Sequence, residues 1–390
     1  MLINRPFWQE LIESSWQQRS IVWLMGVRRT GKTSLCQSIP SVVYYDCELA
    51  SVRRELVDYE QFLNNHQGKR IILDEIHRLD NPSEVLKVAA DHYPSVKIIA
   101  IGSSTLGASS KFRDTLTGRK LSIWLAPLFL DELQIFGNSV LDHRLLVGGL
   151  PGFFSNKRLM AADYAEWLEA YWAKDIQDMF KVGKRGSFLK FAELLFAQSG
   201  GIFEATKFAK DCEVSRLTIG NYLAVLEETL VFHIIKPYST HKASEITKAP
   251  RVYAFDTGFA CYIKNLQELQ PSEAGLLWEH CILNEIHGKL QLPFNRIHYW
   301  RDKQGHEIDF VLREQGRENP VAAIECKLRS TSLNHSDVAV NFTAFRKNYS
   351  LGKNYVVTSD MQHPFVREHK EMVITYLNPH DLVNALRVTL

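Results

Sequence analysis

Short apolar runs alternate with amphipathic stretches over residues 1–140, and this alternation is typical of α/β domains. Helices are predicted between the apolar runs, for instance after Lys32 and over residues 83–92. The apolar runs themselves predict five strands: IVWLM (21–25), VVYY (42–45), IILD (71–74), KIIAI (97–101) and LSIWL (121–125). We therefore expect a parallel sheet with helices between its strands.

The pattern becomes helical after residue 140. A stretch with helical spacing and few breakers covers 162–180, and GGLPG (148–152) predicts a sharp turn before it. Residues 188–236 predict three helices and a strand, and RVYAF (251–255) predicts another strand. The rest of the chain predicts a second α/β unit with a helix at 278–290, strands at IHYW, IDFVL, AAIECK and NYVVTS, and a closing helix at DLVNALRV.

Composition adds few constraints. The 390 residues are 45% hydrophobic and 23% charged, which is ordinary for a globular protein, and the length suggests several domains. The net charge is only +2, so any nucleic-acid site must be a local basic patch. The six cysteines form no CxxC pair, which argues against a zinc ribbon. The chain begins without a signal-like segment and has no apolar run of membrane-spanning length, so we expect a cytoplasmic protein without a membrane partner.

The first chemical motif is GVRRTGKT (26–33), which fits the phosphate-binding pattern GxxxxGK[ST] in full. A predicted strand ends at Met25 and a predicted helix begins at Lys32, as this motif requires. Lys32 is expected to reach the β- and γ-phosphates, and the Thr33 hydroxyl to ligate Mg²⁺. The predicted nucleotide-binding residues of this loop are Gly26, Arg28, Arg29, Thr30, Gly31, Lys32, Thr33 and Ser34.

A second motif, IILDEIH (71–77), places two acids at the end of an apolar strand. Asp74 is predicted to hold Mg²⁺, and Glu75 to act as the base that activates the attacking water. An apolar run before two acids is often only a strand meeting solvent, but the complete phosphate loop favours the functional interpretation. DEIH also occurs in helicases, yet no other helicase motif follows. We therefore predict an AAA+ ATPase that uses ATP and Mg²⁺.

Two further positions are candidates for sensing or stabilising the γ-phosphate. Ser103, with Ser104 beside it, ends the fourth strand at the place of an AAA+ sensor, although a simple strand-end turn explains it equally well. Arg119 precedes the fifth strand as an arginine finger would, with Arg113 in reserve and a solvated arginine as the alternative. A finger acting in trans implies a homo-oligomer, for which we expect a hexamer. No sensor-2 arginine motif stands out.

The motifs together resemble those of predicted prokaryotic AAA+ ATPases that carry a C-terminal winged helix and a PD-(D/E)XK nuclease-like domain. The resemblance extends over nearly the whole chain and rests on GVRRTGKTSL (26–35), LDEIHRL (73–79), IGSS (101–104), LTGRK (116–120), APLFLDEL (126–133), GGLPGFF (148–154), RVYAFDTG (251–258), LLWEH (276–280), HYWRDKQGHEIDFVL (298–312) and AIECK (323–327).

We accordingly predict four parts. They are a P-loop AAA+ core with a parallel sheet (1–140), a helical lid or linker (141–187), a winged helix-turn-helix (188–260) and a restriction-endonuclease-like α/β domain (261–390).

The winged helix-turn-helix is the predicted DNA reader. Its first helix ends near Cys212, and Ser215 is a suitable N-cap for the second helix. Many winged helices mediate only protein contacts, and this alternative stays open. The predicted DNA-binding residues are Arg216, Thr218, Asn221 and Tyr222 on the exposed face of the second helix, with Lys242 and Lys248 in the wing. Lys236 and Arg251 are also expected in or beside the wing.

The C-terminal domain carries the pieces of a nuclease site in the expected order: Glu279 on a helix, Asp309 on a strand, and Glu325 with Lys327 in AIECK. Asp309 and Glu325 are predicted metal ligands, and Lys327 is predicted to position water or stabilise charge. The alternative is a retained fold without cleavage. Glu285 and Glu307 are substitutes if the helix register differs.

These features lead to the hypothesis of an AAA+ ATPase that binds and remodels, or translocates along, duplex or branched DNA, with Mg²⁺-dependent nuclease activity as an option. One alternative is an ATP-gated switch or scaffold in defence or stress control, whose nuclease-like domain docks without cutting. Another is a metal-dependent nuclease regulated by ATP.

Overall fold

The computed structural model describes residues 3–102, 115–156, 160–177, 184–240, 249–314, 319–332, 334–370 and 372–390. The chain forms two compact units. The first comprises Met1–Ser139, Leu150–Gly183 and Glu228–Val231, and the second comprises Val140–Gly149, Lys184–Glu227 and Phe232–Leu390. The finer division into four parts stays a prediction.

The strands of the described residues are short, as the apolar runs predicted. They are β1 (Ile21–Met25), β2 (Val42–Asp46), β3 (Arg70–Asp74), β4 (Lys97–Ile101), β5 (Lys120–Trp124), β6 (Phe232–Pro237), β7 (Arg251–Ala254), β8 (Ile297–Arg301), β9 (Glu307–Arg313), β10 (Pro320–Cys326), β11 (Lys353–Val357), β12 (Phe365–His369) and β13 (Met372–Leu377).

The α-helices of the same residues differ widely in length. They are α1 (Pro6–Gln18), α2 (Lys32–Gln37), α3 (Ala50–Glu55), α4 (Tyr59–Asn65), α5 (Pro82–His92), α6 (Leu141–Val147), α7 (Pro151–Phe154), α8 (Ala161–Tyr171), α9 (Arg185–Ala197), α10 (Ala205–Asp211), α11 (Arg216–Glu228), α12 (Thr257–Ile263), α13 (Pro271–Leu290), α14 (His335–Asn348) and α15 (Pro379–Thr389). A π-helical turn, Trp172–Ile176, continues α8.

The first unit contains the predicted parallel sheet, with strand order β2-β3-β4-β1-β5. Its central strands β3, β4 and β1 carry runs of consecutive buried apolar residues because both faces of the sheet are covered. Along β1, Ile21 and Trp23 join one buried cluster, whereas Val22 and Leu24 join the cluster on the other face. The carboxyl ends of β1 and β3 lie on the same edge of this sheet, which brings the residues after Met25 close to Asp74.

The second unit is built on an eight-stranded mixed sheet in the order β12-β13-β11-β10-β9-β8-β6-β7. Strands β8 and β9 form the predicted antiparallel hairpin, with Gly305 at a φ of +92° in its turn. Strands β10 and β11 are parallel, and α14 crosses between them. The sequence analysis missed β12 and β13, because it took NYVVTS (354–359) as the last strand.

The predicted three helices followed by a strand are confirmed in α9, α10, α11 and β6. Helix α11 begins after Ser215, whose hydroxyl accepts a hydrogen bond from the Thr218 amide at 3.0 Å, as expected of an N-cap. Strand β6 pairs with β7 in antiparallel fashion. Lys242 and Lys248, predicted to lie in the wing between them, are outside the described residues.

Two motifs of the family resemblance meet in the second unit. The buried carboxylate of Asp256 accepts hydrogen bonds from the amides of Gly149 at 2.7 Å and Gly258 at 2.9 Å, and the Arg144 guanidinium lies 3.7 Å away. A side chain at Gly148 would overlap the Asp256 carboxylate. The hydrogen bond from the Gly149 amide to the buried Asp256 carboxylate therefore joins the first two glycines of GGLPG to the FDTG segment, and Arg144 lies beside that carboxylate.

Across the described ranges, every helix is too short or too polar to cross a membrane.

Candidate functional site

The phosphate loop of the first unit is shaped by its glycines and by helix α2. Gly31 precedes the helix with a φ of +89°, which favours glycine. At Gly26 an added Cβ would lie 2.8 Å from the carbonyl oxygen of Leu125, so the loop passes too close to β5 for any side chain. The Lys32 ammonium donates to the carbonyl oxygens of Gly26 at 2.8 Å and Val27 at 3.0 Å. The loop is thus wrapped around its own lysine.

A cavity of about 650 Å³ opens beside this loop. Its volume is in the range of pockets that hold small ligands and cofactors. It is lined by the loop, by the ends of β3 and β4, and by α8 with its π-helical extension: Gly26, Val27, Arg28, Arg29, Gly31, Lys32, Thr33, Ser34, Glu48, Asp74, Glu75, His77, Arg78, Ile101, Gly102, Tyr171, Lys174, Asp175, Thr229 and Val231.

Thr33 and Asp74 meet in this cavity. The Thr33 hydroxyl donates to Asp74 Oδ2 at 2.6 Å, and the Tyr44 hydroxyl donates to the same oxygen at 2.9 Å. Mg²⁺ is usually coordinated by oxygen ligands, among them hydroxyl, carboxylate, phosphate and water oxygens. Thr33 and Asp74 therefore fit a Mg²⁺ ion. The sequence analysis missed Tyr44, which it counted only as part of a strand.

Glu75 follows Asp74 with a left-handed backbone, at a φ of +49°. Such strain in a residue other than glycine is often found at functional sites. The His77 ring nitrogen Nδ1 lies 3.1 Å from Glu75 Oε2. This hydrogen bond, followed by the charges of His77, Lys32 and Arg28, lowers the pKa of Glu75 despite its partial burial. Glu75 is therefore held as a carboxylate, and His77 is its positioning partner, which the sequence analysis did not single out.

Lys32 completes the charged floor of the cavity. Burial lowers the pKa of its ammonium, and the carboxylates of Glu75, Asp175 and Asp74 oppose that effect. The charges of the loop, of the β3 end and of the π-helical turn therefore interact in one cluster.

The loop arginines pair with side chains of α8 and its extension. Arg28 Nε lies 2.6 Å from Asp175 Oδ2, and Arg29 Nη2 lies 2.5 Å from Glu166 Oε1. The Trp167 indole donates to the carbonyl oxygen of Arg28 at 3.1 Å. No sequence signal pointed to these partners, since they lie more than 130 positions away from the loop.

Thr30 differs from the other predicted loop residues. Its side chain is fully buried and donates to the carbonyl oxygen of Val27 at 2.9 Å. Nearby, buried Arg5 forms two 2.7 Å hydrogen bonds with Glu132 and donates to the carbonyl oxygen of Thr30 at 3.3 Å. The Thr30 side chain therefore stabilises the loop on its buried side. Glu132 of the APLFLDEL motif positions Arg5, which in turn binds the loop at the Thr30 carbonyl.

Arg119 lies outside the lining of the cavity and forms two hydrogen bonds with Asp91, at 2.7 and 2.9 Å. Its role as a finger in trans stays a prediction. Ser103, Ser104 and Arg113 are outside the described residues.

The DNA-binding residues predicted on the second helix of the helix-turn-helix lie on α11. Arg216 and Asn221 are exposed and Thr218 is half-buried. The prediction that Tyr222 lies on the exposed face of this helix is wrong, because its side chain is only 4% exposed and its ring contacts the rings of Phe188 and Phe191. Tyr222 belongs to the buried stripe of α11, together with Ile219, Leu223 and Leu226.

The nuclease-like residues come from α13, β9 and β10. Glu279 is bound by Arg251 Nη1 at 2.9 Å and by the Tyr253 hydroxyl, and Arg251 also contacts Glu307. Asp309 accepts a hydrogen bond from the Cys326 amide at 2.7 Å. Glu325 accepts hydrogen bonds from Lys327 at 3.0 Å and from Asn341 at 3.3 Å.

The four predicted nuclease residues are close enough to shift one another's pKa values. Burial raises the pKa values of Glu279 and Glu325, and the charge of Asp309 raises both further. However, within the described residues no group of three histidine, cysteine, aspartate or glutamate side chains is arranged to hold a metal ion. Arg251 pairs with the Glu279 carboxylate, and Lys327 and Asn341 bind the Glu325 carboxylate. The metal site at Asp309 and Glu325 stays a prediction. Of the substitutes, Glu285 pairs with Lys289 and Glu307 with Arg251.

Comparison with known proteins gives three family matches. Residues 18–134 match a family described as AAA domain, residues 138–270 match a domain of unknown function (DUF8612), and residues 274–377 match another (DUF4143). Comparison with curated proteins found no match.

Solved structures with partial similarity include two archaeal proteins. One is the Walker-type ATPase PABY2304 of Pyrococcus abyssi, with 15% identity over 67% of this chain and 96% of that chain, and a TM-score of 0.44. The other is a STAND protein with a tetratricopeptide repeat sensor, PH0952 of Pyrococcus horikoshii, with 10% identity over 74% of this chain and 46% of that chain, and a TM-score of 0.27.

The family match at 18–134 coincides with the parallel sheet, the phosphate loop and the acids at the end of β3. Residues 18–134 therefore match the AAA domain family and contain the P-loop and the parallel sheet of an AAA-type domain.

Proposed function

We propose that the first unit hydrolyses Mg²⁺-bound ATP. The observation that carries the proposal is the 2.6 Å contact of Thr33 with Asp74 beside Glu75, all three lining one cavity with Lys32. A phosphate-binding loop, oxygen ligands suited to Mg²⁺ and an ionised carboxylate are the parts that phosphoryl transfer to water needs. Chance rarely assembles all of them in one pocket.

Each residue then has a defined role. Backbone amides at the start of α2 and the Lys32 ammonium bind the β- and γ-phosphates. Thr33 and Asp74 hold Mg²⁺, which when bound neutralises charge on the phosphate oxygens. Glu75 accepts a proton from the attacking water. The water oxygen bonds to the γ-phosphorus, and the bond from the γ-phosphorus to the β–γ bridging oxygen breaks, so ADP leaves. His77 keeps the Glu75 carboxylate oriented.

We further propose that the energy of hydrolysis acts on DNA. The support lies in α11, which presents exposed Arg216 and Asn221 near its N-terminus, next to the Ser215 cap. Arginine and asparagine contact phosphates and base edges in helix-turn-helix proteins, and a helix N-terminus attracts phosphate. The proposal also includes a homo-oligomer in which Arg119 reaches a neighbouring site.

One observation favours a second function for the C-terminal part of the chain. The carboxylates of Glu279 and Glu325 are paired with Arg251 and Lys327, which satisfies their charge without a metal. This arrangement suits a docking module that binds DNA or a protein partner without cutting, as in an ATP-gated switch. A nuclease would instead cleave DNA with Mg²⁺ and lose that activity in Asp309→Ala.

The test is ATP hydrolysis by wild type and Lys32→Ala, without nucleic acid and with single-stranded, duplex or four-way-junction DNA at fixed salt, since phosphate contacts depend on salt. Stimulation of the wild type by one DNA form supports the DNA-acting ATPase and identifies its substrate. Slow hydrolysis that no DNA form changes contradicts it and favours the switch.

A further inference from the structure

The Arg28–Asp175 ion pair brings a carboxylate of the π-helical turn to the phosphate loop. Arg28 is the third residue of the phosphate loop, and Asp175 lies in the π-helical turn Trp172–Ile176. Their side chains meet at 2.6 Å, and both line the cavity together with Lys32. An anion in the pocket would therefore lie near Arg28, in competition with Asp175.

The two partners differ in exposure. The Asp175 side chain is 8% exposed and that of Arg28 is 31% exposed. A buried carboxylate without a counter-ion is strongly unfavourable, so Asp175 depends on Arg28 more than Arg28 depends on Asp175. Arg28 is thus the partner that is able to turn towards another anion at the open side of the cavity.

Further contacts connect α8, which precedes the π-helical turn, to the phosphate loop. Glu166 pairs with Arg29, and the Trp167 indole binds the carbonyl oxygen of Arg28. The buried Tyr171 hydroxyl is hydrogen-bonded to Thr229, another residue of the cavity lining. A change in the position of Arg28 therefore acts directly on residues 161–177.

We propose that Arg28 and Asp175 form a nucleotide sensor, in which Arg28 exchanges the Asp175 carboxylate for the terminal phosphate of ATP. This inference rests on the proposed ATPase function. A guanidinium binds carboxylate and phosphate alike through two oxygens, so Arg28 is able to exchange one for the other by rotating its side chain. The bond to phosphate must offset the cost of leaving the buried Asp175 carboxylate without Arg28. Arg28 contacts the nucleotide directly, and Asp175 is a positioning residue. The pair supplies the sensing that a sensor-2 arginine would provide.

The sensor predicts opposite effects for its two partners. Arg28→Gln removes a phosphate ligand and weakens ATP binding, by about tenfold for one hydrogen bond to a charged group. Asp175→Asn removes the competitor and tightens ATP binding several-fold. Equilibrium binding of fluorescent ATP and ADP analogues measures both changes, and the effect of Arg28→Gln is larger for ATP than for ADP because the γ-phosphate is absent from ADP.

A double variant separates exchange from simple repulsion. If Asp175 acts through Arg28, Asp175→Asn has no further effect on affinity in the Arg28→Gln background. If Asp175 only repels phosphate, the gain persists in that background and the sensor is refuted. A loss of affinity in both single variants also refutes it, since that result describes a purely structural ion pair.

Two controls keep this test independent of the ATPase proposal. Glu13→Gln breaks the Glu13–Arg70 ion pair, which lies in the same unit but outside the cavity lining, and leaves ATP affinity unchanged. Lys32→Ala abolishes ATP binding. If wild type itself fails to bind ATP, the proposed function fails; if it binds ATP normally and the single variants do not diverge, only the sensor fails.

A measurement on wild type needs no substitution. Asp175 loses its partner when Arg28 turns to phosphate, so amide hydrogen exchange in residues 161–177 changes with a non-hydrolysable ATP analogue and less with ADP. Equal exchange in this segment with both nucleotides contradicts the inference, even if an Asp175 variant fails to fold.

Discussion

The hydroxyl of Thr33 donates a hydrogen bond of 2.6 Å to the carboxylate of Asp74, joining the start of α2 to the end of β3. The contact exists because parallel strands bring their carboxyl ends to one edge of the sheet. It assigns one oxygen ligand to each of two motifs that are 41 positions apart. The proposed Mg²⁺ site depends on both.

Thr33→Val is expected to weaken the Mg²⁺ dependence of ATP binding. Valine keeps the shape of threonine but offers no oxygen, so the metal loses a ligand while the loop amides remain. We expect Mg²⁺ to strengthen ATP binding in wild type by at least tenfold more than in the variant, about the effect of one strong polar interaction. The difference is measured by titrating each protein with ATP, once in the presence of Mg²⁺ and once in the presence of EDTA.

Thr343→Val is the matched control, because Thr343 lies in the second unit and its hydroxyl bonds the carbonyl oxygen of Ala339 within α14. An equal Mg²⁺ effect on ATP affinity in wild type and Thr33→Val would contradict the assignment of Thr33 as a Mg²⁺ ligand.

Arg119→Ala is expected to lower ATP turnover by a factor of roughly 10³ if Arg119 is a finger in trans. Because the finger and the phosphate loop then belong to different subunits, mixing Arg119→Ala with Lys32→Ala protein restores part of the activity. One subunit of such a pair contributes an intact loop and its neighbour an intact Arg119. Steady-state hydrolysis by each variant alone and by the mixture measures this recovery.

A fully active Arg119→Ala protein would show that the Asp91 pair is the whole role of this arginine. A mixture as inactive as its components would exclude a finger in trans.

Arg251→Met is expected to destabilise the second unit by about 3–5 kcal/mol, since it leaves the buried Glu279 carboxylate without its cation. The double variant Arg251→Met/Glu279→Leu recovers most of this loss. Arg329→Met is the control: its ion pair with Asp142 is half exposed at both ends, so the expected loss is about 0–1 kcal/mol. Chemical denaturation followed by fluorescence gives the free energies of unfolding.

Equal losses of unfolding free energy in Arg251→Met and Arg329→Met would mean that Arg251 does not stabilise the buried Glu279 carboxylate.

Arg216→Ala is expected to weaken DNA binding and to reduce the salt slope of the binding constant by about one, as for the loss of one phosphate contact. Lys347→Ala removes an exposed cation of α14 instead and is expected to leave both quantities unchanged. Fluorescence anisotropy with labelled duplex at several salt concentrations provides the comparison. Identical slopes in wild type and Arg216→Ala would argue against α11 as the DNA contact.

Local signals in the sequence were sufficient for the first unit. The apolar runs predicted strands β1 to β5 within one residue at each end. The central strands β3, β4 and β1 are recognisable because their buried positions are consecutive and apolar, and the edge strands β2 and β5 because each is a short apolar run. The phosphate loop and the acids after β3 were equally local, as each motif is a continuous segment. Their assembly into one cavity followed from the parallel sheet.

Long-range partners were not predictable in this way. Asp175 and Arg28 are separated by 147 positions, and nothing in the helical pattern around Asp175 distinguishes it from a solvent-exposed acid. The partnership of Arg251 with Glu279 was hidden for the same reason. Tyr222 was misplaced because polar and buried roles are both open to tyrosine; its spacing of three and four residues from Ile219 and Leu226 indicated the buried face.

The most direct test of the account is ATP turnover by Glu75→Gln beside wild type, with ATP affinity measured on the same preparations. Glutamine keeps the size and hydrogen-bonding capacity of the side chain but cannot accept the proton of the attacking water. The account predicts unchanged ATP binding and a loss of turnover by a factor of roughly 10²–10⁴, with Glu13→Gln behaving like wild type. Hydrolysis by Glu75→Gln at the wild-type rate would contradict the assignment of the base and, with it, the proposed hydrolytic site.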